Sequence, residues 1–196
     1  MKFFDHRAAV GVAALMMSAA ALPAAAEEAY VTAISDYAKA NVMSWAADPT
    51  VVDAIKAQNA ANAGLSQGDI DALDAKWRAE VEAADKPMVA AVLGNDLSKF
   101  LADKKNVAGG LITEVFVMDD KGLNVGQSDA TSDYWQGDEA KFQKSFGAGA
   151  DAVFVDEIEK DESTQTLQSQ VSITITDPAS GAPIGAMTLG IDVDKL

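Results

Sequence analysis

A change of hydrophobic pattern near residue 110 constrains the fold of this chain most strongly. From Glu27 to about Lys105 the sequence is rich in Ala, Asp, Lys and Gln, and its apolar residues recur at spacings of three and four, as in amphipathic helices. From Leu111 onward, apolar β-branched residues alternate with polar ones, which indicates strands. Because the strands follow the helices and have hairpin-like connections, we predict an α+β fold: N-terminal helices followed by a five-stranded antiparallel sheet.

Four helices are predicted before the sheet. Asp48 can cap a helix and Pro49 suits a first helical turn, so a helix boundary is expected there. The predicted helices are a first one carrying the apolar stripe Val31, Ile34, Ala38, Val42 and Trp45, a second after Pro49, a third over residues 66–84 and a fourth over residues 87–101.

The segment TEVFVMDDKGLNVGQSDATSDYWQGDEAKF, residues 113–142, predicts a hairpin followed by an aromatic loop. Its first apolar run ends at Asp119-Asp120-Lys121-Gly122, where the glycine can accept positive φ. A short helix is expected over residues 138–146. Strands are then expected over residues 152–158, 165–176 and 184–193, the last two joined by a turn over residues 177–183.

The N-terminus has the pattern of a secretory signal peptide. Lys2 and Arg7 precede an apolar stretch over residues 8–22, and the small residues after Pro23 form an A-x-A cleavage site before Glu27. The stretch is shorter than the roughly 20 residues that a membrane span needs, although an uncleaved anchor is the alternative. We therefore expect residues 1–26 to be a signal peptide and residues 27–196 to form a single periplasmic domain, helical over 27–105 and sheet-forming over 111–196.

Composition excludes several classes of chemistry. His6, the only histidine, lies in the predicted signal peptide, and the chain has no cysteine. A Ser-His-Asp triad, a cysteine nucleophile and the usual zinc site are therefore excluded from the exported protein. The net charge of −15 disfavours nucleic acid as a partner. No metal site and no cofactor are predicted, since no acidic loop has EF-hand spacing.

Several blocks of the sequence resemble single Cache (PDC-type, PAS-like) extracytoplasmic sensor domains of bacteria. These are WAADPTVVDAIKAQNA, DIDALDAKWRAE, TSDYWQGDEAKF and the closing VSITITDPASGAPIGAMTLGIDVDKL. The resemblance implies a long first helix, small helices, a five-stranded antiparallel sheet and a small-molecule pocket beside the aromatic loop. Typical Cache sensors are flanked by membrane helices. Because this chain ends at Leu196, directly after its last predicted strand, we expect its signal to pass through a membrane-bound partner.

The aromatic loop supplies the first candidate ligand-binding residues. The resemblance implies that Tyr134 or Trp135 borders the pocket, where an apolar face and one polar group suit a ligand. Alternatively, both rings pack into the apolar core at the end of the sheet and contact no ligand. Asp129 and Asp133 can accept a hydrogen bond from an ammonium group, or cap turns and helices instead.

Three further candidates lie elsewhere in the chain. Asp156, in the strand over 152–158, is implied by the resemblance as an acidic ligand anchor. If Val155 faces the helices, Asp156 lies on the exposed face; if it does not, Asp156 points to the pocket side. The pair Trp77-Arg78 lies on the third helix. Arg78 can grip a carboxylate, although arginine is mostly exposed, and Trp77 fits the core stripe.

Three functional classes follow. The first is a sensory module that binds a small polar metabolite, an amino acid, an amine or a short carboxylate, and shifts a conformational equilibrium. The second is a non-catalytic assembly protein that forms a homodimer through the stripe from Val31 to Trp45. The third, an enzyme with paired carboxylates, is disfavoured because no acidic pair stands out.

Overall fold

The computed structural model describes residues 24–160 and 166–196. The predicted signal peptide over residues 1–26 thus lies almost entirely outside the described residues. The helical part comes first, with helices α1 (Ala24–Tyr37), α2 (Met43–Ala46), α3 (Pro49–Asn62), α4 (Gln67–Val81), α5 (Pro87–Leu93) and α6 (Asp96–Val107), and a π-helical stretch, Ala38–Val42, that joins α1 to α2. In the described part of the chain, no helix is long and apolar enough to cross a membrane.

Two helix starts follow directly from the local sequence. Asp48 accepts a hydrogen bond from the Thr50 backbone N–H at 2.8 Å, and Pro49 occupies the first turn of α3, as predicted. Ser66 and Asp69 form a reciprocal capping box at the start of α4. The second and third helices of the sequence analysis are therefore confirmed.

The fourth predicted helix, over residues 87–101, was wrong as a single element. The structure divides it into α5 and α6 at Gly94 and Asn95. The Asn95 side chain caps α6 by accepting from the Ser98 backbone N–H at 2.7 Å, and it also donates to the Val125 carbonyl at 2.8 Å. An asparagine that caps a helix and contacts a strand favours a break over a continuous helix.

The second part of the chain forms an antiparallel sheet in the order β2-β1-β6-β5-β3. The strands are β1 (Ile112–Met118), β2 (Asn124–Gln127), β3 (Val153–Val155), β4 (Glu159–Lys160), β5 (Leu167–Thr176) and β6 (Pro183–Asp192). The α+β class is confirmed. Five strands form the main path as predicted, and the two-residue β4 adds a sixth that also pairs with β5. The strand predicted over 152–158 is only three residues long.

The hairpin between β1 and β2 closes as its sequence indicates. Gly122 adopts φ +81°, and the Asp119 carboxylate accepts from the backbone N–H groups of Lys121 and Leu123, both at 2.9 Å. The helix predicted over residues 138–146 was too long: α7 covers only Ala140–Gln143, with Glu139 at its N-cap, and a 3₁₀ turn follows at Phe146–Ala148.

The main apolar core lies between the helices and one face of the sheet. Ile34, Ala38 and Val42, from the predicted first stripe, are fully buried there. They pack with residues of α3, α6 and the strands, among them Ile55, Leu101, Val117, Val171, Ile173, Met187 and Leu189. These three residues of the stripe therefore belong to the core of the protein itself, and the homodimer through the N-terminal helix stays a prediction.

The opposite face of the sheet is polar for most of its area. Strand register places Glu114, Gly190 and Gln170 side by side on β1, β6 and β5, and Phe116, Thr188 and Ser172 in the next row. A loop over residues 128–139 and helix α7 lie at this face, where Phe142 and Phe146 pack on Phe116 and Met118. The fold thus encloses a polar surface on the side away from the N-terminal helices.

Candidate functional site

Two adjoining cavities lie on this polar face. The β1 cavity, about 250 Å³, lies beside Glu114, Phe116, Thr131, Ser132, Asp133 and Gln136. The β3 cavity, about 230 Å³, lies beside Asp156, Glu157 and Glu159. Both cavities are also lined by Glu139, Lys141, Gln168 and Gln170. Because they share these four residues, the cavities adjoin each other, and the two together are called the polar-face groove below.

The lining of the groove is strongly acidic. Lys141 is the only cationic residue among the lining residues, and its ammonium group is already engaged: Nζ lies 2.9 Å from Glu139 Oε2 and 5.4 Å from the centre of the Phe116 ring. Arg78, which does not line the groove, forms an ion pair with Asp133, with Nη1 2.9 Å from Oδ1. In the described part of the chain, no lysine or arginine forms an ion pair with Glu114 or Asp156.

Buried amide groups near the β1 cavity lack partners. Gln136 is 2% exposed, and its Nε2 donates to the Asp133 carbonyl at 3.0 Å, but its Oε1 has no hydrogen-bond partner among the described residues. Gln127 is similar: its Oε1 accepts from Thr131 Oγ1 at 3.2 Å, but its Nε2 has no hydrogen-bond partner among the described residues. Buried polar atoms without partners are uncommon, and a bound ligand is one way to satisfy them.

A network of contacts from α4 holds the loop that borders the groove. The buried Asp74 carboxylate accepts from the backbone N–H groups of Tyr134 at 2.9 Å and Trp135 at 3.0 Å. Its other oxygen accepts from Arg78 Nε at 2.7 Å, and Arg78 reaches Asp133 with Nη1. Trp77 Nε1 donates to the Thr131 carbonyl at 2.9 Å. Helix α4 thus fixes two residues, Thr131 and Asp133, that line the β1 cavity.

The predicted residues Tyr134 and Trp135 belong to this loop, but their side chains pack away from the groove and line neither cavity. The Tyr134 ring stacks on Trp77, with centroids 5.3 Å apart, in a second apolar cluster with Leu123. Burial, with a smaller effect of Asp119, raises the pKa of the Tyr134 phenol to about 12. Trp135 Nε1 donates to the Lys121 carbonyl at 2.8 Å. Both rings therefore anchor the loop to the hairpin and to α4.

The remaining predicted residues divide between the groove and other surfaces. Asp133 and Asp156 line it; Val155 packs on the helix side, so Asp156 faces the polar side. Asp129 lies outside, where its carboxylate pairs with Lys105 at 2.5 Å. Arg78 and Trp77 act on the loop from α4 and line neither cavity. The other lining residues had not been proposed, and they are Glu114, Phe116, Thr131, Ser132, Gln136, Glu139, Lys141, Glu157, Glu159, Gln168 and Gln170.

The groove does not have the form of a metal centre. Among the described residues, no group of three or more histidine, cysteine or carboxylate side chains is placed to hold a metal ion. Its carboxylates are spread along a cleft several strands wide. Such an arrangement suits hydrogen bonding and ion pairing with an organic cation better than coordination of one ion.

No protein-family model matches the sequence, and comparison with curated proteins also finds no match. Solved structures do match. The sensor domain of the V. cholerae histidine kinase DctB is 12% identical, with a TM-score of 0.48, and the match covers 84% of this chain and 50% of that one. The sensory domain of the Campylobacter jejuni chemoreceptor Tlp3 with isoleucine bound is 13% identical, with a TM-score of 0.39 and coverage of 88% and 63%.

A third match is the ligand-binding domain of the Pseudomonas aeruginosa chemoreceptor PctC in complex with GABA, at 18% identity, a TM-score of 0.34 and coverage of 62% and 59%. The chain thus spans about half to two thirds of the length of these solved chains. The three matched structures are sensor or ligand-binding domains of a histidine kinase and two chemoreceptors. The α+β order of helices followed by an antiparallel sheet is confirmed by the structure of this chain, and the resemblance to Cache (PDC-type) sensor domains stays a prediction.

Proposed function

We propose that this protein is an extracytoplasmic sensory domain that binds a small polar metabolite carrying an ammonium group, and that the polar-face groove is the binding site. One observation carries the proposal: the β1 cavity is lined by the Glu114 carboxylate, which has no cationic partner among the described residues, and by the buried Gln136, whose Oε1 has no hydrogen-bond partner there. An ammonium group has three donors and no acceptor, so it complements such a surface.

The lining favours an amine or amino acid over a short carboxylate. An anionic ligand needs a cation, and Lys141, the one cation of the lining, is paired with Glu139. The Phe116 ring lines the same cavity and already accepts Lys141 Nζ over its face. This aromatic face is therefore occupied by a cation of the protein itself.

Signalling is proposed to start at the loop over residues 128–139. Thr131 and Asp133 of this loop line the groove, and both are held by α4, through Trp77 and Arg78 respectively. A ligand that draws Asp133 toward the groove weakens its contact with Arg78, so binding favours a different position of the loop against α4. Ligand binding thus shifts the population between two positions of the loop, because the ligand contacts them differently. A membrane-bound partner that contacts this domain in the periplasm would respond to the new position.

Thermal-shift measurements on the purified protein test the proposal with amines, amino acids, short carboxylates and a neutral sugar as probes. Binding to the native state stabilises it by about 2.7 kcal/mol at a hundredfold excess over Kd. For a domain of this size that corresponds to a rise in Tm of roughly 5–10 °C. We expect this rise for at least one compound with an ammonium group, and none for the carboxylates or the sugar.

Matched variants assign the effect to the groove. Glu114→Gln removes a charge from the lining while keeping a hydrogen-bonding side chain, and we expect it to weaken binding. Asp103→Asn is the control, since Asp103 is exposed on α6 and lines neither cavity. Equal binding by the two variants would place the ligand elsewhere, and a response only to anionic compounds would overturn the proposed ligand class.

A further inference from the structure

The strand register aligns the acidic groups of the groove in one row. Glu114 on β1 is paired with Gly190 on β6, and Gly190 with Gln170 on β5. The backbone N–H of Asp156, directly after β3, donates to the Gln170 carbonyl at 2.8 Å, which places Asp156 beside Gln170. Since strands are about 4.8 Å apart, the Cα atoms of Glu114 and Asp156 are separated by roughly 14 Å across the groove.

Gly190 leaves room at the centre of this row. With no side chain there, Glu114 reaches over β6, and its Oε1 accepts from Gln170 Nε2 at 2.8 Å. A Cβ at position 190 would lie 2.9 Å from Glu114 Cγ, closer than such atoms approach. Glu114 therefore projects across β6 toward Gln170, over the centre of the row.

Negative charge at each end of the row lacks a cationic partner. At the β1 end are Glu114 and the unpartnered Gln136 Oε1, and at the β3 end are Asp156, Glu157 and Glu159. Within residues 24–160 and 166–196, none of these four carboxylates takes part in an ion pair with lysine or arginine. The lining between the ends contains Gln168, Gln170 and the already paired Lys141 and Glu139.

We propose that the groove binds a doubly cationic ligand, a linear aliphatic diamine, with one ammonium group in the β1 cavity and the other in the β3 cavity. This inference rests on the proposed function and specifies its ligand class. A zwitterionic amino acid would place its carboxylate among acids or require Lys141 to leave Glu139. A diamine satisfies acceptors at both ends, and its methylene chain lies along the stems of Gln168 and Gln170.

Isothermal titration calorimetry with putrescine, cadaverine and n-butylamine tests this inference. Putrescine and n-butylamine share one carbon skeleton and differ by a single ammonium group, so their ratio of affinities measures the second cationic site. We expect a diamine to bind at least about tenfold more tightly than n-butylamine, which corresponds to one further charge-assisted contact. Its affinity should also fall more steeply with added salt, because two charges are screened.

Variants at the two ends of the row test which cavity binds each ammonium group of the diamine. Asp156→Asn should lower the affinity for the diamine about tenfold and leave that for n-butylamine, held at the β1 end, unchanged. Glu114→Gln should weaken both compounds, and Asp103→Asn neither. If n-butylamine or an amino acid binds as tightly as the diamines, the doubly cationic ligand is refuted and the proposed function stands. If no compound with an ammonium group binds, both proposals fail.

Discussion

Replacing Asp74 by alanine tests how the loop at the groove is held in place. The side chain is buried on α4 and accepts from two backbone N–H groups, those of Tyr134 and Trp135, at 2.9 and 3.0 Å. It also accepts from Arg78 at 2.7 Å. Alanine removes all three contacts, and nothing else in the described structure accepts from those two N–H groups.

The expected cost follows from these contacts. Each buried donor left without a partner costs about 1–3 kcal/mol, and the half-exposed pair with Arg78 contributes at most about 1 kcal/mol. Release of the buried carboxylate from its own desolvation offsets part of the loss. We therefore expect Asp74→Ala to lower the free energy of unfolding by about 3 kcal/mol, a large share of the roughly 5–15 kcal/mol typical of a domain.

Urea denaturation followed by tryptophan fluorescence measures this difference, with two comparison variants. Asp74→Asn keeps one oxygen acceptor but turns an amide N–H group toward Arg78, so we expect an intermediate loss of about 1 kcal/mol. Asp71 is an exposed acid on the same helix that accepts from Gln67 Nε2 at 2.8 Å, and Asp71→Ala should change stability by less than about 0.5 kcal/mol. A loss below about 1 kcal/mol for Asp74→Ala would show that other contacts anchor the loop.

Three further changes have defined outcomes. The pKa of Tyr134 is raised to about 12 in the folded protein, whereas it is about 10 in the unfolded chain. The contribution of the neutral phenol to stability is therefore complete below a pH of about 10 and is lost as the pH rises toward 12. Tyr134→Phe should remove this loss of stability at alkaline pH in pH-dependent denaturation curves. Gly122→Ala should lower stability by about 2 kcal/mol in urea denaturation, because φ is +81° and the new Cβ would lie 2.6 Å from Gly137 Cα; an unchanged midpoint would refute the strained turn. Gly190→Ala should displace both Thr113 and Glu114, because the new Cβ would lie against Thr113 Oγ1 and 2.9 Å from Glu114 Cγ, and it should weaken amine binding severalfold in calorimetry; unchanged affinity would exclude Glu114 from the site.

The elements that depend on local signals could be predicted from the sequence. The Asp48-Pro49 helix start, the helix from residue 66 and the turn at Gly122 each rest on residues close together in the chain. The alternation of Val171 and Ile173 with Ser172 also identified β5. Asn95 shows why one helix was predicted in place of two, since its side chain bonds Val125, a partner 30 residues away that periodicity does not reveal.

The groove could be predicted only in part, because its residues meet through strand register. Glu114 and Gln170 are 56 positions apart in sequence and become neighbours only across Gly190. Tyr134 and Trp135 were proposed as ligand contacts because an aromatic pair in a loop needs something to cover. The structure shows that they cover α4 and the hairpin. One signal was present: the run of polar residues Gln168, Gln170 and Ser172 on the side of β5 away from the core.

The polar face of the sheet is difficult to explain by folding alone. A sheet face enclosed by a loop and a helix is most stable when apolar, because buried polar groups lose hydration and must find partners in the protein. Here Ser172 pairs with Thr188 at 2.8 Å and Glu114 with Gln170 at 2.8 Å, which only offsets that loss. Gln136 Oε1 lacks even this compensation, at a cost of about 1–3 kcal/mol. A ligand that donates to Gln136 and to the carboxylates accounts for both features, and the groove is then where stability is given up for binding.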